Sequence, residues 1–265
     1  MTTVGDVLAH LDRRFPPILA EDWDAVGLVT GRRADPVARI ALAVEANRAI
    51  LDWAIDIDAD LLVLHHPLYL RGTAGIDGDS PKGALVHDAV RAGLAVFVAH
   101  TNADAARPGV SDALADAIGV RDTRPVIAHP TDASLGIGRA GTLDVPCTLA
   151  EFAERVARAI PGARGGVRFA GDGARLVRKV AVCAGAGDDL LEHVDADVIV
   201  TSDIRHHPAA EYLLTGRAAI VDIPHATGES LWLAPLASEL ASEFPGVSTV
   251  VDAIGCDPWS GVIGA

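Results

Sequence analysis

Ten histidines stand in a chain of 265 residues, and six of them cluster where apolar runs give way to polar residues. The clearest cluster is the pair His65-His66, where the run Leu61 to Leu64 stops just before Pro67. Neutral imidazole is a common nitrogen ligand for zinc, iron and copper, so the chemistry to look for is metal binding. A lone histidine near a strand end is more often a hydrogen-bonded structural residue. This pair gains weight because two further runs end the same way, in His100-Thr101-Asn102 with Asp104 and in His225 with Glu229. A fourth run is followed by Thr201-Ser202-Asp203 and His206-His207, which offer groups to support metal ligands from behind, to contact substrate or to transfer protons, with helix capping an equal account of Asp203.

These clusters must be positioned by strands. Ile40 to Val44, Asp60 to Leu64 and Leu94 to Ala99 read as buried strands, with helical patterns at Asn47 to Ile57, Pro81 to Ala92 and Ser111 to Ile118. Such alternation predicts an α/β fold of mainly parallel strands, in which ligands gather at the carboxyl ends of the strands. Periodicity lapses over Arg121 to Asp132, and the domain transition is placed there, giving an N-terminal α/β domain over 1–125 and a C-terminal α/β segment over 126–265. In the second half a helix is expected over Leu149 to Ile160, opened by a Thr148/Glu151 capping box and stopped by Pro161. Strands follow at Val180 to Ala184, Asp197 to Thr201 and Ala218 to Ile223, with helices at Asp188 to His193 and Pro208 to Leu214. A long helix over Glu229 to Glu243 and a strand over Val247 to Ala253 come last, and these are expected to pack on the first domain.

Adjacent residues on a regular strand face opposite sides. His65 and His66 are therefore expected to diverge, each serving a different ion, with carboxylates bridging. His225 and Glu229 are four apart at a loop-to-helix junction, so one helical turn brings them to one side. Mixed nitrogen and oxygen donors suit zinc, iron, manganese or nickel alike. His10, His87, His129 and His193 lie away from these clusters and read as structural or solvent-facing.

Composition narrows the class. Half of the residues are hydrophobic and the formal net charge is -14, which argues against a nucleic-acid-binding surface. No apolar run approaches the roughly eighteen residues a membrane span needs, and no secretory leader opens the chain, so a cytoplasmic protein is expected. Cys147, Cys183 and Cys256 are too widely spaced for a zinc knuckle or a disulfide framework. Gly136-Ile137-Gly138-Arg139-Ala140-Gly141 spells G-x-G-x-x-G, but Pro146 interrupts any helix after it. It reads as a glycine-rich strand or bend beside another backbone or a ligand, so no dinucleotide cofactor is expected. Gly185 and Gly187 have a better phosphate-loop shape, though a weak one.

The ordered set HHP (His65 to Pro67), HTNAD (His100 to Asp104), GIGRAG (Gly136 to Gly141), TSDIRHH (Thr201 to His207) and HATGE (His225 to Glu229) resembles the dinuclear-metal-centre family of GTP cyclohydrolase 1 type 2 homologs over nearly the whole chain. The resemblance implies two linked α/β domains with parallel or mixed sheets, a metal site in the interdomain cleft, and a homohexamer. It implies two divalent ions held by His65, His66, Asp104, His225 and Glu229, with Glu229 the bridge and His100 a neighbour rather than a ligand. At this length the chain looks like the short form, without the insertion that some members carry. Pro224, Gly228 and Ser202 depart from the family pattern around retained ligands, which bears on loop geometry and substrate preference. The function expected is that of a metal-dependent hydrolase of a nucleotide-like or phosphorylated small molecule, GTP in the specific version, with His100, His206 or His207 as proton donor. The alternative is a non-enzymatic protein that delivers metal or docks a partner.

Overall fold

The structure is a computed structural model that describes every residue except Pro161, Ala163, Arg164, Val262, Gly264 and Ala265. The expected helix stop at Pro161 thus lies outside the described residues. The chain forms two compact units, one comprising Met1–Ala106 with Leu233–Cys256, the other Arg107–Trp232 with the chain from Asp257. The first exchange of units comes upstream of the Arg121 to Asp132 stretch.

The first unit is built on a five-stranded sheet. Its strands are β1 (Gly27–Thr30), β2 (Arg39–Ala43), β3 (Leu61–Leu64), β4 (Ala95–Val98) and β13 (Ser248–Val251), in the order β1-β4-β3-β2-β13. All neighbours are parallel except β1, which pairs antiparallel with β4 at the edge. Every residue of β3 and β4 is buried, as expected of strands covered on both faces. Helices α1 (Val4–Arg14), α2 (Arg48–Asp56), α3 (Pro81–Ala92), α4 (Thr101–Ala105) and α9 (Leu233–Glu243) accompany the sheet. Local chemistry sets their limits. Asn47 caps α2 by accepting from the Ile50 amide, Ser80 caps α3 ahead of Pro81, and Gly93 ends α3 in a left-handed conformation at φ 71°. One core cluster joins Ile50, Leu51, Leu85, Val86 and Ala89 to Leu62, Leu64, Val96 and Val98. Each large apolar side chain so covered contributes about 1.5–3 kcal/mol.

The second unit holds a six-stranded mixed sheet in the order β5-β8-β10-β11-β12-β9. The strands are β5 (Val120–Arg124), β8 (Arg139–Thr148), β9 (Arg168–Ala170), β10 (Leu176–Ala186), β11 (Val198–Ser202) and β12 (Ala219–Asp222), while β6 (Ile127–His129) and β7 (Asp132–Ile137) form a separate hairpin. The central strands β10, β11 and β12 are parallel, and β5, β8 and β9 run antiparallel to their neighbours. Its helices are α5 (Val110–Ala117), α6 (Leu149–Ala159), α7 (His206–Leu214) and α8 (His225–Ser230). The Thr148/Glu151 capping box opens α6 as the sequence predicts.

Three expectations are corrected. The aperiodic stretch from Arg121 holds β5 and β6, largely exposed strands whose pairing satisfies the backbone without an apolar alternation to announce it. Asp188–His193 is a 3-10 helix. The long helix over Glu229 to Glu243 is two helices, α8 and α9, and the chain passes from one unit to the other between them.

Candidate metal centre

In the first unit, register brings the polar residues together. Ala43, Leu64 and Val98 are level across β2, β3 and β4, so the residues two further on, Glu45, His66 and His100, emerge side by side at the carboxyl edge. The ladder extends past the strands, with the His66 amide donating to Val44 O at 2.7 Å and the Ala99 amide to Leu64 O at 3.0 Å. The expected divergence of His65 and His66 does not occur. Strand β3 ends at Leu64, and the two rings lie 5.2 Å apart, each near His100 at 5.2 and 5.6 Å. One ligand atom from each of His65, His66 and His100 lies within 4.8 Å of the others, a grouping able to hold a metal ion.

Oxygen acceptors set the orientation of two of these rings, those of His65 and His100. Buried His65 donates from Nδ1 to Ala99 O at 2.9 Å, which places its lone pair on Nε2, the atom 3.8 Å from Asp104 Oδ1. His66 Nδ1 faces Glu45 Oε2 at 3.8 Å. His100 Nδ1 lies 2.7 Å from Asp24 Oδ1, whose carboxylate also accepts from the Thr101 amide and hydroxyl. Burial opposes ionisation of Asp24, yet the hydrogen bonds from His100 and Thr101 outweigh it and hold its pKa far below the usual carboxylate range. Asn102, also buried, accepts from the His100 amide and donates to Phe15 O, fixing the turn on which His100 sits.

In the second unit, Glu229 and His225 lie one turn apart on α8, with Glu229 buried and His225 half-buried. His225 Nε2 is 3.0 Å from Glu229 Oε1, and its Nδ1 is 2.8 Å from Asp203 Oδ2. A neutral imidazole that donates from Nδ1 to Asp203 presents a lone pair at Nε2, directly against a carboxylate oxygen. That juxtaposition calls for a cation, either a proton or a metal ion, and a carboxylate behind a histidine is the usual outer support of a metal-bound imidazole. Asp203 itself adopts φ 56°, a conformation Asp tolerates better than most residues. It does not cap α7, whose N-cap is Arg205. His206 and His207 open α7 as exposed residues with their rings 5.2 Å apart.

Sequence reading missed Asp24 and Glu45, whereas Asp203 belongs to the cluster expected to stand behind metal ligands, to contact substrate or to move protons. Glu45 follows the apolar run Ile40 to Val44 and obeys the same strand-end rule that singled out the histidines. Asp24 lies in a loop, where no periodic signal pointed to it. The GIGRAG glycines are explained by neighbouring backbone. A Cβ on Gly136 would fall 2.1 Å from Ile127 O, and the carbonyls of Gly136 and Gly138 accept from the Arg139 guanidinium.

Strand-end imidazoles in one α/β unit, and an imidazole held between two carboxylates in the other, define a protein equipped with metal-ligating groups. A sequence profile of the Duf34/NIF3 (NGG1p interacting factor 3) family matches residues 2–257, and the chain belongs to that family. The GTP cyclohydrolase 1 type 2 homolog of Streptomyces coelicolor is 43% identical over 237 residues, covering 88% of this chain and 83% of its own. The homolog of the same name from Mycobacterium tuberculosis is 32% identical over 367 aligned positions, covering 97% and 96%. Those positions outnumber the 265 residues here, so that relative carries inserted segments this chain lacks. The crystal structure of a Bacillus cereus protein related to NIF3 shares the fold with a TM-score of 0.90 at 22% identity, over 98% of this chain and 99% of that one.

Proposed function

We propose that this chain is a dinuclear metal protein, with His65, His66 and Asp104 from the first unit and His225 and Glu229 from the second as ligands to two divalent ions. Glu229 is the bridging carboxylate of that reading. The observation that carries it is His225, whose Nδ1 faces Asp203 at 2.8 Å while its Nε2 faces buried Glu229 at 3.0 Å. Nitrogen and carboxylate donors together suit zinc, iron, manganese or nickel.

The activity we propose is hydrolysis of a nucleotide-like or phosphorylated small molecule, with GTP ring opening as the specific case suggested by the names of the relatives. Bound divalent ions would supply a water acidified to neutral pH and a Lewis-acid contact to a substrate oxygen. The chain's own part is to orient and to move protons. Asp24 fixes the ring of His100 beside His65 and His66, and this makes His100 the proton carrier of the proposal. His206 and His207 are exposed and placed to meet substrate.

The test has two stages. Elemental analysis of untagged, reconstituted protein should give two ions per chain, and a His66→Ala, His225→Ala double variant should lose them. Unchanged metal content in the double variant would sink the ligand assignment. Nucleotide and phosphorylated substrates are then screened with wild type and Glu229→Gln, with formate release from GTP as one readout. Metal-dependent turnover lost in Glu229→Gln supports the hydrolase. No turnover, together with metal transfer to an acceptor, supports the delivery reading.

The homohexamer and cytoplasmic location also belong to this proposal. Among the described residues no helix is long and apolar enough to cross a membrane. Sedimentation of the full chain checks the assembly, for which a mass of six chains is expected.

A further inference from the structure

Strand β10 loses register beside Glu229. Val182 pairs with Val200 and Ala186 with Ser202, so Cys183, Ala184 and Gly185 stand opposite the single residue Thr201. Such a bulge strips the ladder of hydrogen bonds in a buried place, where each unsatisfied backbone group is costly. Three buried hydroxyls stand in for them. The Ala184 amide donates to Ser111 Oγ at 3.3 Å, Ser202 Oγ donates to Ala184 O at 3.4 Å, and Thr201 Oγ1 donates to Gly185 O at 2.9 Å.

Helix α8 lies directly on this bulge, and two glycines permit it. A Cβ on Gly228 would come 3.0 Å from Ala184 O and 2.7 Å from Ile223 Cδ1. A Cβ on Gly185 would come 2.6 Å from Glu229 Oε1 and 3.4 Å from His225 Nε2. The phosphate-loop reading of Gly185 and Gly187 is thereby replaced. Gly185 makes room for the donor pair, and Gly187 makes room for Thr201, whose Oγ1 would lie inside contact distance of an added Cβ.

We infer that the Cys183 to Gly185 bulge is a positioning device for the Glu229 and His225 donor pair, with Gly185 and Thr201 its positioning residues. The inference rests on the metal reading above. Its chemistry is that of a rigid seat. The glycine leaves the Glu229 carboxylate the space that a side chain would fill, and the threonine hydroxyl fixes the carbonyl of that same glycine. An added methyl group must push the carboxylate off its place, and ligand placement governs metal affinity.

The experiment is zinc titration of the full chain against a competing chromophoric chelator, with circular dichroism of the metal-free protein as the check on folding. Gly185→Ala is expected to bind at least about tenfold more weakly while keeping its secondary structure. Thr201→Val should weaken binding in the same sense, and Thr201→Ser, which keeps the hydroxyl, should bind as wild type does. Glu229→Gln separates the two ideas. If it weakens zinc binding and Gly185→Ala does not, the positioning role is overturned and the metal reading stands. If Glu229→Gln binds as tightly as wild type, both fall. Should Gly185→Ala fail to fold, equal binding by Thr201→Val and Thr201→Ser overturns the inference.

Discussion

Asp203 Oδ2 and His225 Nδ1 lie 2.8 Å apart, joining the turn after β11 to the first residue of α8. Because the other nitrogen of that ring faces Glu229, Asp203 determines which way the imidazole points and which nitrogen carries hydrogen. Asp203→Asn keeps the shape and removes the charge. Its expected effect is a ten- to hundredfold loss of metal affinity, with little change in the unfolding of metal-free protein. Isothermal titration with a single divalent metal measures the first, and urea unfolding the second. Undiminished affinity would mean that His225 is not held as a ligand.

Asp24 supplies a pH signature. Its folded pKa is held below that of an unfolded aspartate by His100 and Thr101 against the cost of burial, so folding favours the ionised form. The stability it contributes is full above about pH 4 and drains away as the pH falls from there toward the folded value. In metal-free protein, Asp24→Asn should be less stable than wild type by the same margin at pH 7 and pH 5. That margin should narrow by pH 3. Urea midpoints at the three pH values decide the matter, and a margin undiminished at pH 3 contradicts the assignment.

Arg139 is fully buried and grips Asp112 with two hydrogen bonds of 2.8 Å, while Gly136 O and Gly138 O accept from Nη1. Asp112 also accepts from the Gly109 amide at the start of α5. Removing one partner strands the other charge away from water. Asp112→Ala should therefore cost about 3–5 kcal/mol, read as a lowered urea midpoint, whereas replacing both residues by apolar ones should cost much less. Additive losses in the double variant would argue against a coupled pair.

Tyr212 offers the opposite case. Its hydroxyl is buried in an apolar cluster with Leu190, Leu191, Ile199 and Ile220 and has no hydrogen-bond partner among the described residues. Burial accordingly pushes its pKa up. Tyr212→Phe removes a polar group that gains nothing from folding, so stability should be unchanged or higher by about 1 kcal/mol. A clear destabilisation would point to a hydrogen bond through buried water.

Strand ends were the legible part of this molecule. LLVL and AVFV are buried on both faces, and continuous apolar runs of that length announce parallel strands, so the sites of His65, His66 and His100 followed from Leu64 and Val98. Exposed strands such as Asp132–Ile137 carry no such signal, because partner backbone rather than apolar burial makes them strands. The orientation of His65 and His66 was misjudged for a related reason: alternation is a property of the extended chain, and the chain is no longer extended after Leu64. Asp24 went unread, and Gly185 was read only as part of a phosphate-loop shape. Their roles depend on which distant residues register and bulge deliver to them, and no local pattern encodes that.

The return of the chain to the first unit has a consequence for how the protein is made. Parallel β13 covers the edge of β2, with Ser248 level with Arg39 and Val251 level with Leu42. On a translating ribosome every one of His65, His66, Asp104, His225 and Glu229 has been synthesised before the strand that closes the first sheet appears. The nascent chain must then carry an open β2 edge until Ser248–Val251 emerges to cover it.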